Sequence, residues 1–144
     1  MASTWVVSAD AGRARIFELN GKERHLQEIA DLVNPEGRAS ERELNSDAQG
    51  RYFGRGERTQ GHSTGDANSV GHANEMFSRE VGRYLEKARN EHQFDRLVLV
   101  APPKFLGLLR RSLSKGVQST VTEEMDKDLS WLDTRDIERH INRS

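Results

Sequence analysis

The chain has 144 residues, of which 31% are charged and 34% hydrophobic, with a net charge of −1 and no cysteine. That length suits one domain, 1–144, burying roughly two thirds of the surface its unfolded chain exposes. The charge balance argues against a globally basic nucleic-acid binder, and the absence of cysteine excludes disulfides, thiolate metal sites and cysteine nucleophiles.

The first residues, Met1 to Val7, lack a basic leader region, and their apolar run is too short for an export signal. No segment approaches the roughly 20 apolar residues that span a bilayer. The expectation is a cytoplasmic protein with no membrane contact.

Thr4 to Ala9 reads as a first strand, with Trp5, Val6 and Val7 supplying β-favouring bulk. Asp10-Ala11-Gly12 is a turn signal, and Arg13 to Leu19 alternates, Ala14 and Ile16 against Arg15, Phe17 and Leu19. Asn20-Gly21 is a hairpin signal, because both residues tolerate positive φ. Leu26 to Val33 follows as a third strand whose alternation is imperfect. The three strands predict an antiparallel meander.

From Asn34 to Ser69 the character changes. Val, Ile and Met vanish, six glycines punctuate the segment, and its large apolar residues are Leu44, Tyr52 and Phe53. Such a composition buries too little apolar area to offset the entropy of ordering. The expectation is a long polar loop over 34–69, disordered or ordered only on binding a partner.

Asn68 or Ser69 caps a helix running to about His92, with Ala73, Phe77, Val81, Tyr84, Leu85 and Ala88 on one stripe. Gly82 within it suggests close packing against a sheet. Leu97 to Ala101 is an unbroken apolar run, as expected of a central strand covered on both faces. Pro103 opens a helix to Leu113 with Phe105, Leu106, Leu109 and Leu113 inward, and Gly116 ends it. Val117 to Met125 alternates as an edge strand. Asp133 caps a last helix, with Leu132 and Ile137 placed as a hydrophobic staple. The order β-β-β-(long loop)-α-β-α-β-α predicts an α/β domain with a mixed sheet and helices on both faces.

Four stretches carry a family resemblance: Trp5 to Phe17, Asn34 to Arg38, Phe94 to Gly107 and Glu124 to Leu129. Together they resemble the bacterial host attachment protein family, named for a need in attachment to host cells. That family is grouped with relatives of the middle domain of archaeal and eukaryotic class I release factors and Pelota. The resemblance implies a ribonuclease-H-like layout and a non-catalytic module associated with the ribosome or transfer RNA. A role in adhesion or host colonisation through protein contacts is the alternative. Release factors carry a Gly-Gly-Gln loop before the long helix, and no Gly-Gly-Gln occurs here, so the resemblance does not carry over peptidyl-tRNA hydrolysis.

The residues themselves offer little catalytic chemistry. Asp10, at the end of the first strand, is a candidate metal carboxylate, with Asp126, Asp128 and Glu80 as companions, in a metal-dependent hydrolase. The competing reading is a turn-forming Asp before Ala11-Gly12. The 5 histidines show no metal-ligand spacing. Neither a serine elbow nor a nucleotide-binding glycine pattern occurs. No catalytic residue, cofactor or metal is expected, and no DNA partner. Candidate contact residues for RNA or a partner are Arg51, Tyr52, Phe53, Arg55 and Arg58 in the polar segment, where arginines meet phosphate and aromatics stack on bases. Lys104, Arg110, Arg111 and Lys115 form a second basic cluster, and the 34–69 segment is the candidate surface for a protein partner.

Overall fold

The structure, a computed structural model, describes residues 3–22, 24–35 and 55–143, and within 55–70 the backbone alone. Strand β1 is Thr4–Ala9, β2 Arg13–Asn20, β3 His25–Val33, β4 Arg96–Ala101 and β5 Val121–Asp126. Helix α1 is Arg55–Asn90, α2 Pro103–Ser112, α3 Lys115–Gln118 and α4 Thr134–Arg143. The five strands form one mixed sheet in the order β3-β2-β1-β4-β5. β1–β2 and β2–β3 pair antiparallel, whereas β1–β4 and β4–β5 pair parallel. This is the expected α/β class: a meander joined to a crossover unit, with helices on both faces.

The sheet separates two cores. On one side Trp5, Val7, Ile16, Leu97 and Leu99 meet Phe77, Val81 and Leu85 of α1 and Phe105, Leu106 and Leu109 of α2. On the other, Val6, Phe17, Val98, Val100 and Met125 meet Ile137 and Ile141 of α4. β4 feeds both, which explains its unbroken apolar run. It is an interior strand, but β1 holds the middle of the sheet.

The imperfect alternation of β3 has a cause. Ile16 pairs with Ala30 and Phe17 with Glu28, so Ile29 is an extra residue at a β-bulge. Leu26 therefore packs in the α4-side core, while Ala30 and Leu32, of the same sequence parity, pack on the α1 side.

Several boundaries differ from the sequence reading. The polar segment is not all loop, and neither Asn68 nor Ser69 is a cap: the backbone is helical from Arg55. No proline occurs between Pro35 and Pro102, so nothing there forbids the helical hydrogen-bond ladder. The rest of the expected loop, including Arg51, Tyr52 and Phe53, lies outside the described residues. β5 begins at Val121, because Ser114 caps the short helix α3, its side chain accepting from the Val117 amide. Val117 is thus a buried helical residue. Gly116 does not end α2, which stops at an extended Leu113. In the β2–β3 turn the left-handed residue is Arg24, at φ 54, and its amide donates to the Asn20 carbonyl at 2.8 Å.

α1 closes with His92 in the left-handed region, at φ 60. The Gln93 amide donates to the Ala88 carbonyl at 2.9 Å and the His92 amide to Arg89 at 2.9 Å, the paired bonds of a Schellman closure. Gly82 faces α2 and not the sheet. A Cβ there would stand 2.6 Å from the Ser112 carbonyl oxygen, so only glycine lets the two helices approach this closely. Asp133 caps α4 as expected, accepting the Asp136 amide at 2.8 Å.

Candidate functional site

Two places in the molecule have the makings of a site. The first is at the carboxyl end of β1, where the chain turns to one side for β2 while β4 leads to β5 on the other. Open α/β sheets place ligands at such switch points. Asp10 stands there, 2% exposed. Its Oδ1 accepts the Gly12 amide at 2.7 Å and the Arg13 amide at 3.0 Å. Its Oδ2 accepts the indole N–H of Trp131. Both carboxylate oxygens are therefore occupied by protein donors, in a turn that ties the β5–α4 connector to β1.

Of the expected companions, Asp128 comes near. Partial burial, and then the Asp10 charge, push its carboxyl above the ordinary carboxylate range, against hydrogen bonds from Ser130. Asp126 ends β5 opposite Ala101, and Glu80 lines a separate cleft on α1. Among the described residues no three His, Asp or Glu side chains converge to hold a metal ion.

Arg15 braces the same corner. It is 7% exposed, on the strand face that also carries Phe17 and Leu19. It pairs with Glu28 at 2.9 and 3.1 Å and donates to the Ser130 and Leu132 carbonyls. One guanidinium thus joins β2, β3 and the connector, a use of its fork of donors that lysine could not reproduce. The Arg13 guanidinium lies 5.0 Å from the Trp131 ring centroid and pairs with Asp31. Sequence reasoning missed Trp131 and Arg15. The available signal was an arginine sharing a strand face with two large apolar residues, where burial demands partners.

The basic cluster is divided. Arg110 is committed to Glu124, with Nε–Oε2 at 3.1 Å and a second bond from Nη2. That pairing raises the Arg110 guanidinium and holds the Glu124 carboxyl below its ordinary value. Lys104 sits in the first turn of α2, Arg111 in its last turn and Lys115 in α3. Arg55 and Arg58 lie on the α1 backbone, far along the chain from that cluster.

The second place is an open cleft of about 420 Å³ between the end of β3 and the flank of α1. Val33, Asn34 and Pro35 form one wall, and His72, Ala73, Met76, Phe77, Glu80 and Arg83 the other. Val33 is 44% and Met76 42% exposed, over a buried Phe77. Asn34 is fixed beneath, its amide donating to the Ala11 carbonyl at 2.8 Å. Glu80 and Arg83 stand one helical turn apart, and neither forms an ion pair among the described residues. Nothing in the sequence joined Val33 to Met76, because the cleft exists only once α1 lies along the sheet.

These features define an α/β protein with a braced polar corner and an open apolar cleft. The chain belongs to the family described as "protein required for attachment to host cells", whose description matches residues 5–141. An uncharacterized protein of Rickettsia prowazekii (strain Madrid E) is 35% identical over 66 residues, 44% of this chain and 44% of that protein. The match therefore spans less than half the length of that relative. Among solved structures, the Ppx/GppA phosphatase of Aquifex aeolicus (type II variant) aligns with a TM-score of 0.45 and 13% identity, over 87% of this chain and 36% of that one. A likeness that distant says nothing about activity. Among the described residues no helix is long and apolar enough to cross a membrane.

Proposed function

We propose that this chain serves host attachment as a contact module: it binds a protein partner and makes or breaks no bond itself. The observation that carries this reading is the β3–α1 cleft, which leaves open to solvent apolar surface and two charges that form no ion pair among the described residues. Exposed apolar surface rimmed by polar groups is typical of protein contact. At the Asp10 corner, by contrast, the carboxylate oxygens are spent on Gly12, Arg13 and Trp131. A hydrolase built on Asp10 has no observation in its favour. The ribosomal or transfer-RNA reading rests on Arg51, Arg55 and Arg58, whose side chains lie outside the described residues, and on Lys104, Arg111 and Lys115; within the described part, Arg110 is committed to Glu124.

The test is deletion of the gene in the bacterium that carries it, with counts of bacteria adhering to cultured host cells. A several-fold loss restored by the full chain is expected. Unchanged adherence of the deletion strain overturns the proposal, and co-sedimentation with ribosomes in low salt would favour the RNA reading.

A further inference from the structure

We infer that the cleft is a groove for an extended peptide, which adds as a strand to the free edge of β3 and lays alternate side chains against α1. The biological setting rests on the contact-module reading; the groove itself rests on geometry.

Among the described residues β3 is an edge strand, and such an edge presents unpaired amides and carbonyls to any extended chain that reaches it. The two halves of β3 differ. At its start the edge is closed, because Glu138 of α4 accepts the Leu26 amide at 2.8 Å and contacts His25 at 3.1 Å. Beyond the Ile29 bulge no side chain of α4 takes an amide of the strand. The acids that would repel an approaching strand are neutralised from β2, Glu28 by Arg15 and Asp31 by Arg13. Ile29 and Val33 remain 40% and 44% exposed.

The crossover fixes the direction of the groove. β3 runs parallel to β4, and α1 joins them, so α1 runs back along β3 from the Val33 end. A peptide antiparallel to β3 therefore travels with α1. Met76, Glu80 and Arg83 are spaced ~6 and ~10 Å along the axis at 1.5 Å per residue. Same-face residues of a strand recur every ~6.7 Å. An aliphatic side chain seated on Met76, on the face that Leu32 also takes, thus brings the residue two positions later to Glu80. The residue four positions later comes within reach of the Arg83 side chain. The complementary pattern is aliphatic-x-cation-x-anion, read from amino to carboxyl end. Main-chain bonds would give affinity and these three positions the selectivity.

The test is selection from a random octapeptide phage library against the full-length protein and against Met76→Asp. Enrichment of aliphatic-x-(Lys/Arg)-x-(Asp/Glu) sequences on the wild type alone is expected. The corresponding synthetic octapeptide should bind at least tenfold more weakly to Met76→Asp, and also when its alternate amides are N-methylated. Amide exchange of residues 29–33 should slow on binding. Overturning results are equal enrichment on both proteins, tolerance of N-methylation, or a concentration-dependent dimer abolished by Met76→Asp, which would make a second copy the occupant. The two proposals fail separately. Peptide selection with unchanged adherence of the deletion strain leaves the groove and removes its attachment role. Lost adherence without selection does the reverse.

Discussion

The Asp10 corner and the β3–α1 cleft lie at the margins of one sheet and use their polar groups in opposite ways. At the corner, Asp10, Arg15 and Trp131 are matched to protein partners across β1, β2, β3 and the connector. In the cleft, Glu80 and Arg83 face solvent without ion pairs among the described residues, beside exposed Met76 and Val33. Matched groups hold a fold together, whereas unmatched ones beside apolar surface are available to something else. Charged residues thus mark architecture in one place and availability in the other.

The sharpest way to break this contrast is Arg15→Met. It removes a nearly buried cation and leaves the Ser130 and Leu132 carbonyls unmatched, so a loss of about 3 kcal/mol in urea unfolding is expected. A loss below ~1 kcal/mol would show that the corner is not held by that guanidinium. Next comes Gly82→Ala. Its Cβ would meet the Ser112 carbonyl, and overpacking of 1–3 kcal/mol, roughly, outweighs the ~1 kcal/mol gain in helix propensity. Thermal melting should show a lower midpoint. Trp131→Phe keeps a ring over Arg13 but strips the donor from Asp10. A cost of about 1–3 kcal/mol is expected, because one oxygen of the buried Asp10 carboxylate loses its donor.

Acid titration gives a smaller effect, with two opposed signs. The Leu26 amide, and then His25 and Arg135, hold the Glu138 carboxyl below its ordinary value against a little burial. Its contribution is therefore present at neutral pH and lost as pH falls through the carboxylate range. Asp128 is raised, so the folded state favours its protonated form, and that contribution is lost as pH rises. Glu138→Gln should flatten the acid limb of a melting-temperature profile, whereas Asp128→Asn should raise the neutral plateau. The smallest change in stability belongs to the cleft. Met76→Asp should alter unfolding by less than ~0.5 kcal/mol, since that side chain is half exposed. A large loss would place Met76 in the core and dissolve the contrast.

Much of this was legible from residues alone. Apolar runs marked β1 and β4, an alternating pattern marked β2, and the stripe from Phe77 to Ala88 marked the buried part of α1. These signals survive because burial imposes them. The amino-terminal half of α1 carries no such stripe, so its glycines and charges read as loop although its backbone is helical. Val117 to Met125 showed a strand-like period through a segment whose first turn is a capped helix. Long-range polar matches leave no local pattern: Trp131 reaches Asp10 across 121 positions, and Arg15 reaches Ser130 across 115. The cleft was invisible for the same reason, being a product of how α1 crosses from β3 to β4.

The supernumerary residue Ile29 acts as a phase inverter. It lets one nine-residue strand serve the α4-side core with its first half and the α1-side core with its second. Excising it would shorten the chain by a single position and restore an ordinary ladder, Glu28 still opposite Phe17 and Ala30 still opposite Ile16, so Ala30 and Leu32 would keep their core. A loss of genetic length that would exchange inside and outside in a regular strand is thus absorbed at this spot.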